Sequence, residues 1–198
     1  MIRSIFLFSF MLVSSIMISQ DHSAPIPYHE ILEAPEDYGP GNVLARMVDG
    51  LGYRYYWASE GLRQEDLDYR PTPEAASAYE TVQHIYGLAS TVLNVALNKP
   101  NVRPLDFSEM DFDDLRRGAL ENLQKASETF RGKNAEEMSK LEVIFQRGER
   151  TSNFPLWNVM NGMLADAIYH TGQLVSFRRT TGNPMDASVN VFIGKNRN

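Results

Sequence analysis

The sequence predicts an all-α protein in which four long helices form an antiparallel four-helix bundle. Apolar residues recur at three- and four-residue steps in four segments, as they do on the buried side of an amphipathic helix. These segments are bounded by prolines, glycines and capping residues, which mark helix ends. No strand pattern of comparable strength competes, and 198 residues with 43% hydrophobic content suit one domain with a single core.

The first segment, residues 1–19, is predicted to be a signal peptide. It has one positive charge at Arg3, then an apolar run, then small and polar residues, and no acidic residue precedes Asp21. Cleavage after Ser19 would make the mature protein periplasmic or secreted. A retained membrane anchor is the alternative, although the run is close to the short limit for crossing a bilayer of about 30 Å.

Residues 20–41 are predicted to be an extended lead-in, because they contain four prolines and two glycines. His22 and His29 fall in this lead-in and are expected to be solvated. The bundle domain is predicted to span residues 42–198. Its last fourteen residues contain a short apolar cluster that is expected to fold back on the helices.

The first two predicted helices are separated by a proline-rich stop at residues 70–73. The second helix opens with Ser77 and Glu80 in capping-box spacing and continues to about Asn98, ahead of Pro100. The apolar stripe of the first helix comprises Leu44, Met47, Val48, Leu51, Tyr55, Ala58 and Leu62.

The third predicted helix begins near Ser108 or Asp111 and has the most regular apolar face in the chain. It ends at Gly132, a residue suited to the left-handed conformation that follows many helices. One apolar run in the next linker, residues 141–145, has the length of a short strand. A single run cannot make a sheet, so we expect no sheet.

The fourth predicted helix begins at Pro155, where the missing N–H costs nothing, and runs to about Thr180. His170 falls within its apolar arc, and Asp166, four residues earlier, lies about 40° away at the edge of that arc. On the second helix, His84 lies at the border of the apolar arc. The three side chains are therefore expected to converge between two helices.

Two interpretations of this cluster remain open from spacing alone. In the structural one, His170 is a neutral core histidine whose N–H donates to Asp166. In the functional one, His84, Asp166 and His170 form a two-histidine, one-carboxylate site for a divalent metal. Because the chain has no cysteine, any metal must be held by nitrogen and oxygen.

The charge of the chain argues against nucleic-acid binding. Its formal net charge is -6 and it has no long basic run, whereas nucleic-acid binding depends mostly on Lys and Arg. The sequence also has no glycine-rich phosphate loop, no GxSxG nucleophile elbow and no HExxH helix. These absences leave metal binding as the sharpest functional hypothesis.

Two stretches of the sequence resemble the DinB-like family of metal-binding bundles. Residues 61–73, GLRQEDLDYRPTP, followed by the capped helix that carries His84, resemble one family motif. Residues 166–174, DAIYHTGQL, resemble the motif His-x-x-x-His-Arg-Gly-Gln of the last helix. The resemblance implies a four-helix bundle with an up-down-down-up connection and a metal that is usually held by three histidines.

The resemblance assigns roles by position. His84 matches the ligand of the second helix and His170 the last histidine, whereas Asp166 stands where the family has another histidine, and Thr171 where it has arginine. It therefore implies a divalent metal at His84, Asp166 and His170, with zinc or nickel expected and iron or manganese as alternatives. Gln173, about one turn after His170, is expected to orient a ligand or the substrate.

The family includes thiol-dependent transferases and isomerases. The expected function is therefore a metal-dependent transferase or hydrolase that acts on a small substrate, and a thiol would have to arrive with that substrate. The alternatives are a non-catalytic bundle that binds metal or a ligand, and a structural or interaction protein of the periplasm. No catalytic residue is predicted. A homodimer is expected, with neither nucleic acid nor, after signal cleavage, a membrane as partner.

Overall fold

The computed structural model describes residues 25–197 and shows a mostly helical protein with one small sheet. The predicted signal peptide, the first part of the lead-in and His22 lie outside the described residues. Within residues 25–197, no helix is both long enough and apolar enough to cross a membrane. The α-helices are α1 (Pro40–Ser59), α2 (Gln64–Leu67), α3 (Ala78–Ala96), α4 (Phe112–Phe130), α5 (Ala135–Ser139) and α6 (Ala165–Thr180).

The four long helices surround one hydrophobic core. Both α1 and α3 pack against α4 and α6, and their main contacts are with these two helices rather than with each other. Full burial of one side chain such as Leu120 contributes about 1.5–3 kcal/mol, so this core dominates the stability of the fold. The largest fully buried side chains include Tyr53, Tyr55, Phe130, Leu51, Ile85, Leu115, Leu120, Leu123, Leu164 and Leu174.

The capping residues predicted from the sequence are confirmed. Ser77 Oγ accepts a hydrogen bond from Glu80 N at 3.1 Å, and Glu80 Oε2 accepts one from Ser77 N at 2.7 Å. Asp111 and Asp114 make the equivalent pair at the start of α4. Gly132 follows α4 with φ of +74°, the left-handed conformation that favours glycine. The lead-in ends slightly earlier than predicted, because α1 begins at Pro40.

The prediction that the chain contains no sheet is wrong. Strands β1 (Asn101–Val102), β2 (Glu142–Arg147) and β3 (Arg150–Pro155) form a sheet in the order β1-β2-β3. β1 pairs with β2 in parallel, and β3 pairs with β2 in antiparallel register. All six residues of β3 are exposed, so this strand lacks the alternation that predicts strands. A tight turn through Gly148, with φ of +58°, sets its pairing instead.

The predicted start of the fourth helix is also wrong. Pro155 ends β3 and lies opposite Glu142 in the sheet, so it cannot begin a helix. A π-helix at Val159–Leu164 follows and leads directly into α6. A π-helix has more residues per turn than an α-helix, so it changes which face of the following helix is buried.

The C-terminal tail contacts α1, but its apolar cluster does not pack on the helices as expected, because Val191, Phe192 and Ile193 are 42%, 94% and 44% exposed. The hydroxyl of Tyr53 donates to Asn196 Oδ1 at 2.8 Å and accepts from the backbone N of Asn190 at 3.2 Å. Ile31 N donates to Gly194 O at 2.8 Å, which joins the lead-in to the same tail. These contacts are polar, and the tail therefore docks chiefly through hydrogen bonds.

Candidate metal centre

Helices α3 and α6 bring together the three residues predicted to bind a metal. One ligand atom each from His84, Asp166 and His170 lies within 4.8 Å of the other two. His84 Nε2 lies 3.1 Å from Asp166 Oδ2, and His170 Nε2 lies 3.2 Å from Asp166 Oδ1. The centroids of the two imidazole rings are 4.6 Å apart and the rings are nearly perpendicular. Both nitrogens and both carboxylate oxygens thus face one small volume.

The site lies at the rim of the contact between α3 and α6, so His170, which was predicted to lie within an apolar arc, is not a core residue. The side chains of His84, Asp166 and His170 are 50%, 42% and 23% exposed. On α6, Asp166 and His170 each come directly before a residue of the buried stripe. That stripe consists of Ala167, Thr171, Leu174 and Arg178. On α3, His84 similarly precedes the fully buried Ile85. The prediction that His170 lies in an apolar arc assumed a continuous α-helix from Pro155. The π-helix at Val159–Leu164 interrupts that α-helix and changes which of its residues share a face.

Gln173 contacts the site through His170. Its Oε1 lies 2.7 Å from His170 Nδ1, one helical turn away on the same face of α6. An amide oxygen only accepts, so His170 Nδ1 carries the hydrogen and donates it. Gln173 was predicted to orient a ligand or the substrate, and in the structure its amide contacts the imidazole of His170. Such outer partners fix the tautomer of a metal-binding histidine.

The donor set fits a bound cation. With its hydrogen on Nδ1, neutral His170 has a lone pair on Nε2, and this lone pair faces Asp166 Oδ1 at 3.2 Å. Two acceptors at that distance repel unless a proton or a metal ion lies between them. Atoms that share a zinc ion lie roughly 3–4 Å apart, because each is about 2.0–2.2 Å from the metal. The two separations between a histidine nitrogen and an oxygen of Asp166, 3.1 and 3.2 Å, meet this requirement.

A cavity of about 370 Å³ opens beside the site and is bordered by His84 and His170. Glu80 also borders it, but its carboxylate already accepts from Arg70 Nη1 and from Ser77 N, each at 2.7 Å. These hydrogen bonds, that from Arg70 foremost, hold the pKa of Glu80 below its usual value, so this group is ionised at neutral pH. The remaining residues of the cavity wall are Pro71, Ala75, Ala76, Thr81, Gln173 and Phe177.

Sequence reasoning missed a second polar cluster, at the C-terminal end of α6. The fully buried carboxylate of Asp66 accepts from Arg63 Nε at 3.0 Å, from Asn183 Nδ2 at 2.7 Å and from the hydroxyl of Thr181. Burial alone would raise the pKa of Asp66, but these hydrogen bonds hold it well below its usual value. We call Asp66, Arg63, Thr181, Asn183 and Arg178 the polar junction.

Arg178 completes the polar junction from α6. Its Nη1 donates to the carbonyl oxygens of Trp57, Ala58 and Glu60 at 2.9–3.1 Å, and its Nε donates to Asn183 O at 2.7 Å. Arg178 therefore satisfies carbonyl groups at the end of α1, not those of its own helix. One sequence signal could have pointed to the polar junction. Asp66 lies within the first stretch that resembles the DinB-like motifs, and Arg178 lies four residues after the second.

Comparison of the chain with protein-family models, with curated proteins and with solved structures finds no match. The geometry of His84, Asp166 and His170 is therefore the evidence from which a function can be proposed. That geometry consists of two imidazoles and one carboxylate, held on two helices beside an open cavity. It suits a divalent metal with room for a further ligand.

Proposed function

We propose that this protein is a DinB-like four-helix bundle that binds a divalent metal through His84, Asp166 and His170. The observation that carries the proposal is the convergence of these three side chains from two helices, with a ring nitrogen of each histidine 3.1–3.2 Å from an oxygen of Asp166. Zinc or nickel is the expected metal, with iron or manganese as alternatives, because all these ions accept imidazole and carboxylate ligands. The expected reaction is transfer or hydrolysis on a small substrate.

Contacts at the helix ends show the directions in which the four long helices run, and these directions support the up-down-down-up order of the DinB-like family. Two contacts give the relative direction of α1 and α4. Gly41 N, at the start of α1, donates to Lys133 O, just after α4 ends, at 3.1 Å. At the other end, Arg116 Nε in the first turns of α4 donates to Ser59 Oγ, the last residue of α1, at 3.0 Å. These helices run in opposite directions.

The direction of α3 and α6 follows in the same way. Tyr79 and Ser90 of α3 are hydrogen-bonded to Met110 and Asn122, near the start and the middle of α4, so α3 and α4 are parallel. Arg178 joins the C-terminal ends of α6 and α1, so these two helices also run in one direction. An order of up, down, down, up for the four long helices supports the DinB-like topology.

A metal held at this site would polarise a bound carbonyl or lower the pKa of a bound water or thiol. Gln173 keeps the hydrogen of His170 on Nδ1, which leaves Nε2 as the ligand atom. Asp166 contributes one negative charge and both of its oxygens. The partly exposed side chains of the site and an adjoining cavity of about 370 Å³ give a small molecule access to the site. Because the chain has no cysteine, any reacting thiol belongs to the substrate.

Metal stoichiometry tests the proposal. The mature protein, first stripped with a chelator, is loaded with zinc or nickel, desalted and measured by elemental analysis beside His84→Ala and His170→Ala. The control is His29→Ala, since His29 is exposed and lies in the lead-in, away from the site. We expect one metal per chain in the wild type and the control, and less than one tenth of that in both site variants. One retained metal per chain in His84→Ala would refute the site.

Turnover then separates an enzyme from a metal-binding protein without catalytic activity. The loaded protein is assayed against small thiol conjugates and esters, with the chelated protein and His170→Ala as blanks. A metal-dependent reaction that the variant lacks supports a transferase or hydrolase. Stoichiometric metal without any turnover would restrict the function to metal binding.

A further inference from the structure

The small sheet presents three arginines in one row, on one face. Arg147 and Arg150 lie directly opposite each other in the register of β2 and β3. Arg103 comes just after β1, and its backbone N donates to Gln146 O at 2.9 Å, which continues the parallel register by one residue. Arg103 therefore lies beside Arg147. We call Arg103, Arg147 and Arg150 the arginine row.

The positive charge of the arginine row is not neutralised. Like charges at opposite positions of neighbouring strands destabilise a sheet. Within residues 25–197, none of these three arginines forms a salt bridge, and Arg103 instead donates to Thr91 Oγ1 at 2.7 Å. Burial lowers the pKa of Arg103, and the nearby charge of Arg147 lowers it further. Such a cluster, in a chain of net charge -6, is suited to binding an external anion.

The arginine row lines a cleft of about 780 Å³. Beyond the arginines, the cleft is walled by Phe145 and Phe154, whose rings meet edge to face with centroids 6.2 Å apart. Phe154 is 42% exposed, so its ring is accessible from solvent. Glu149 and Ser152 complete the wall. The cleft thus has a cationic part and an aromatic part, and its volume falls in the range of small-molecule sites.

We propose that this cleft binds a phosphate-bearing molecule, with the phosphate on the arginine row and an apolar or aromatic group against Phe154. Guanidinium groups match phosphate oxygens with paired hydrogen bonds, which favours arginine over lysine at phosphate sites. Three arginines and one glutamate leave a net charge that a phosphate dianion neutralises and a single carboxylate does not. No residue of the metal centre takes part in this binding.

The cleft and the metal centre can be tested separately. Arg103 also lines a smaller cavity of about 270 Å³ that His84 borders, so it is common to the walls of both regions. Arg147 and Arg150 line the cleft but neither of the two cavities that His84 borders. The double variant Arg147→Gln/Arg150→Gln therefore removes the phosphate site without touching the metal ligands. Both side chains are exposed, so the variant is expected to fold.

Calorimetric titration of the chelated mature protein with phenyl phosphate, inorganic phosphate and phenol tests the proposal. Chelation prevents phosphate from binding to a metal at the other site. We expect phenyl phosphate to bind at least ten-fold more tightly than inorganic phosphate, and phenol to bind more weakly than either. The double variant should weaken phenyl phosphate at least ten-fold. Neither Arg179→Gln, which removes one exposed positive charge outside the cleft, nor His84→Ala should do so. Unchanged binding in the double variant, or no binding by the wild type, would overturn the proposal.

Two further measurements sharpen the result. Cosedimentation with vesicles of phosphatidic acid, compared with phosphatidylcholine alone, separates a lipid headgroup from a soluble phosphate ester as the source of the phosphate. Thermal unfolding without phosphate gives an independent check, because removing neighbouring like charges should leave the melting temperature of the double variant equal to or above that of the wild type. A clear fall in melting temperature would show that the arginines stabilise the fold instead, against the proposal.

Discussion

Two polar clusters along α6 differ in how donors and acceptors are matched. At its C-terminal end, the polar junction surrounds the acceptor Asp66 with donors from Arg63, Thr181 and Asn183. In the first turns of α6, Asp166 of the candidate metal centre lies between the Nε2 atoms of His84 and His170. The other ring nitrogen of His170, Nδ1, already donates to Gln173. The first cluster is complete within the protein, whereas in the second the contact between His170 and Asp166 is favourable only when a proton or a cation lies between the two atoms.

The two carboxylates also differ in their exposure to solvent. Asp66 is fully buried, and a buried carboxylate must be paired because desolvation penalises it heavily. Asp166 is 42% exposed, so water can solvate it when no metal is bound. One carboxylate therefore stabilises the fold, and the other remains available to a ligand. The predictions below test this contrast.

The largest effect is expected from Asp66→Ala. It leaves several buried donors unpaired and should lower the free energy of unfolding by roughly 2–4 kcal/mol. Asp68→Ala is the matched control, because Asp68 lies two residues away, is exposed and pairs only with Gln64 through its side chain. The control should change stability by no more than about 0.5 kcal/mol. Urea unfolding of the chelated proteins measures both, and equal effects would contradict the assignment of Asp66.

The next effect should come from zinc binding. Zinc at one hundred times its dissociation constant should raise the free energy of unfolding of the wild type by about 2.7 kcal/mol. His170→Ala should gain no stability from zinc, while its metal-free form should stay within about 1 kcal/mol of the wild type. Urea unfolding with and without zinc is the measurement. A large loss of stability in the metal-free variant would mean that this cluster, too, is structural.

A smaller effect is expected from Gln173→Ala. Loss of the acceptor for His170 Nδ1 should weaken zinc binding by about 10–100-fold, as is usual for partners that orient a metal ligand. Competition with a chromophoric chelator measures the affinity, and Gln173→Glu, which keeps an acceptor at the same place, should restore most of it. If neither substitution changes the affinity, Gln173 does not position His170.

The smallest effect concerns acid. The pKa of Asp66 is depressed in the folded protein, so its contribution is complete above the unfolded value of about 3.9 and is lost as the pH falls below it. The difference in unfolding free energy between wild type and Asp66→Asn should therefore shrink by about 1 kcal/mol between pH 7 and pH 3. Urea unfolding at several pH values tests this. A difference that grows in acid would have the wrong sign.

The starts of α3 and α4 were predictable because their signals are local. Ser77 and Glu80 are three residues apart and Asp111 directly precedes α4, so the capping contacts can be read from the sequence. The convergence of His84, Asp166 and His170 could be predicted from helical spacing and from the resemblance. Their depth did not, because nothing in residues 155–164 indicates a π-helix.

Polar contacts between residues far apart in the sequence could not be predicted either. Asp66 and Asn183 are 117 residues apart, and spacing does not indicate that one accepts from the other. β3 escaped prediction for a related reason. It is exposed throughout and held by backbone pairing, which leaves no hydrophobic pattern. The arginine row depends on that pairing, and a sequence scan finds only separated arginines.

Anomalous diffraction from crystals grown with zinc, recorded at the zinc absorption edge, tests the metal site most directly. The proposed site predicts one strong peak between α3 and α6, about 2.0–2.2 Å from the Nε2 atoms of His84 and His170 and from an oxygen of Asp166. No peak at this position, or a peak held by other residues such as His29, would contradict the central claim that these three side chains form a metal site.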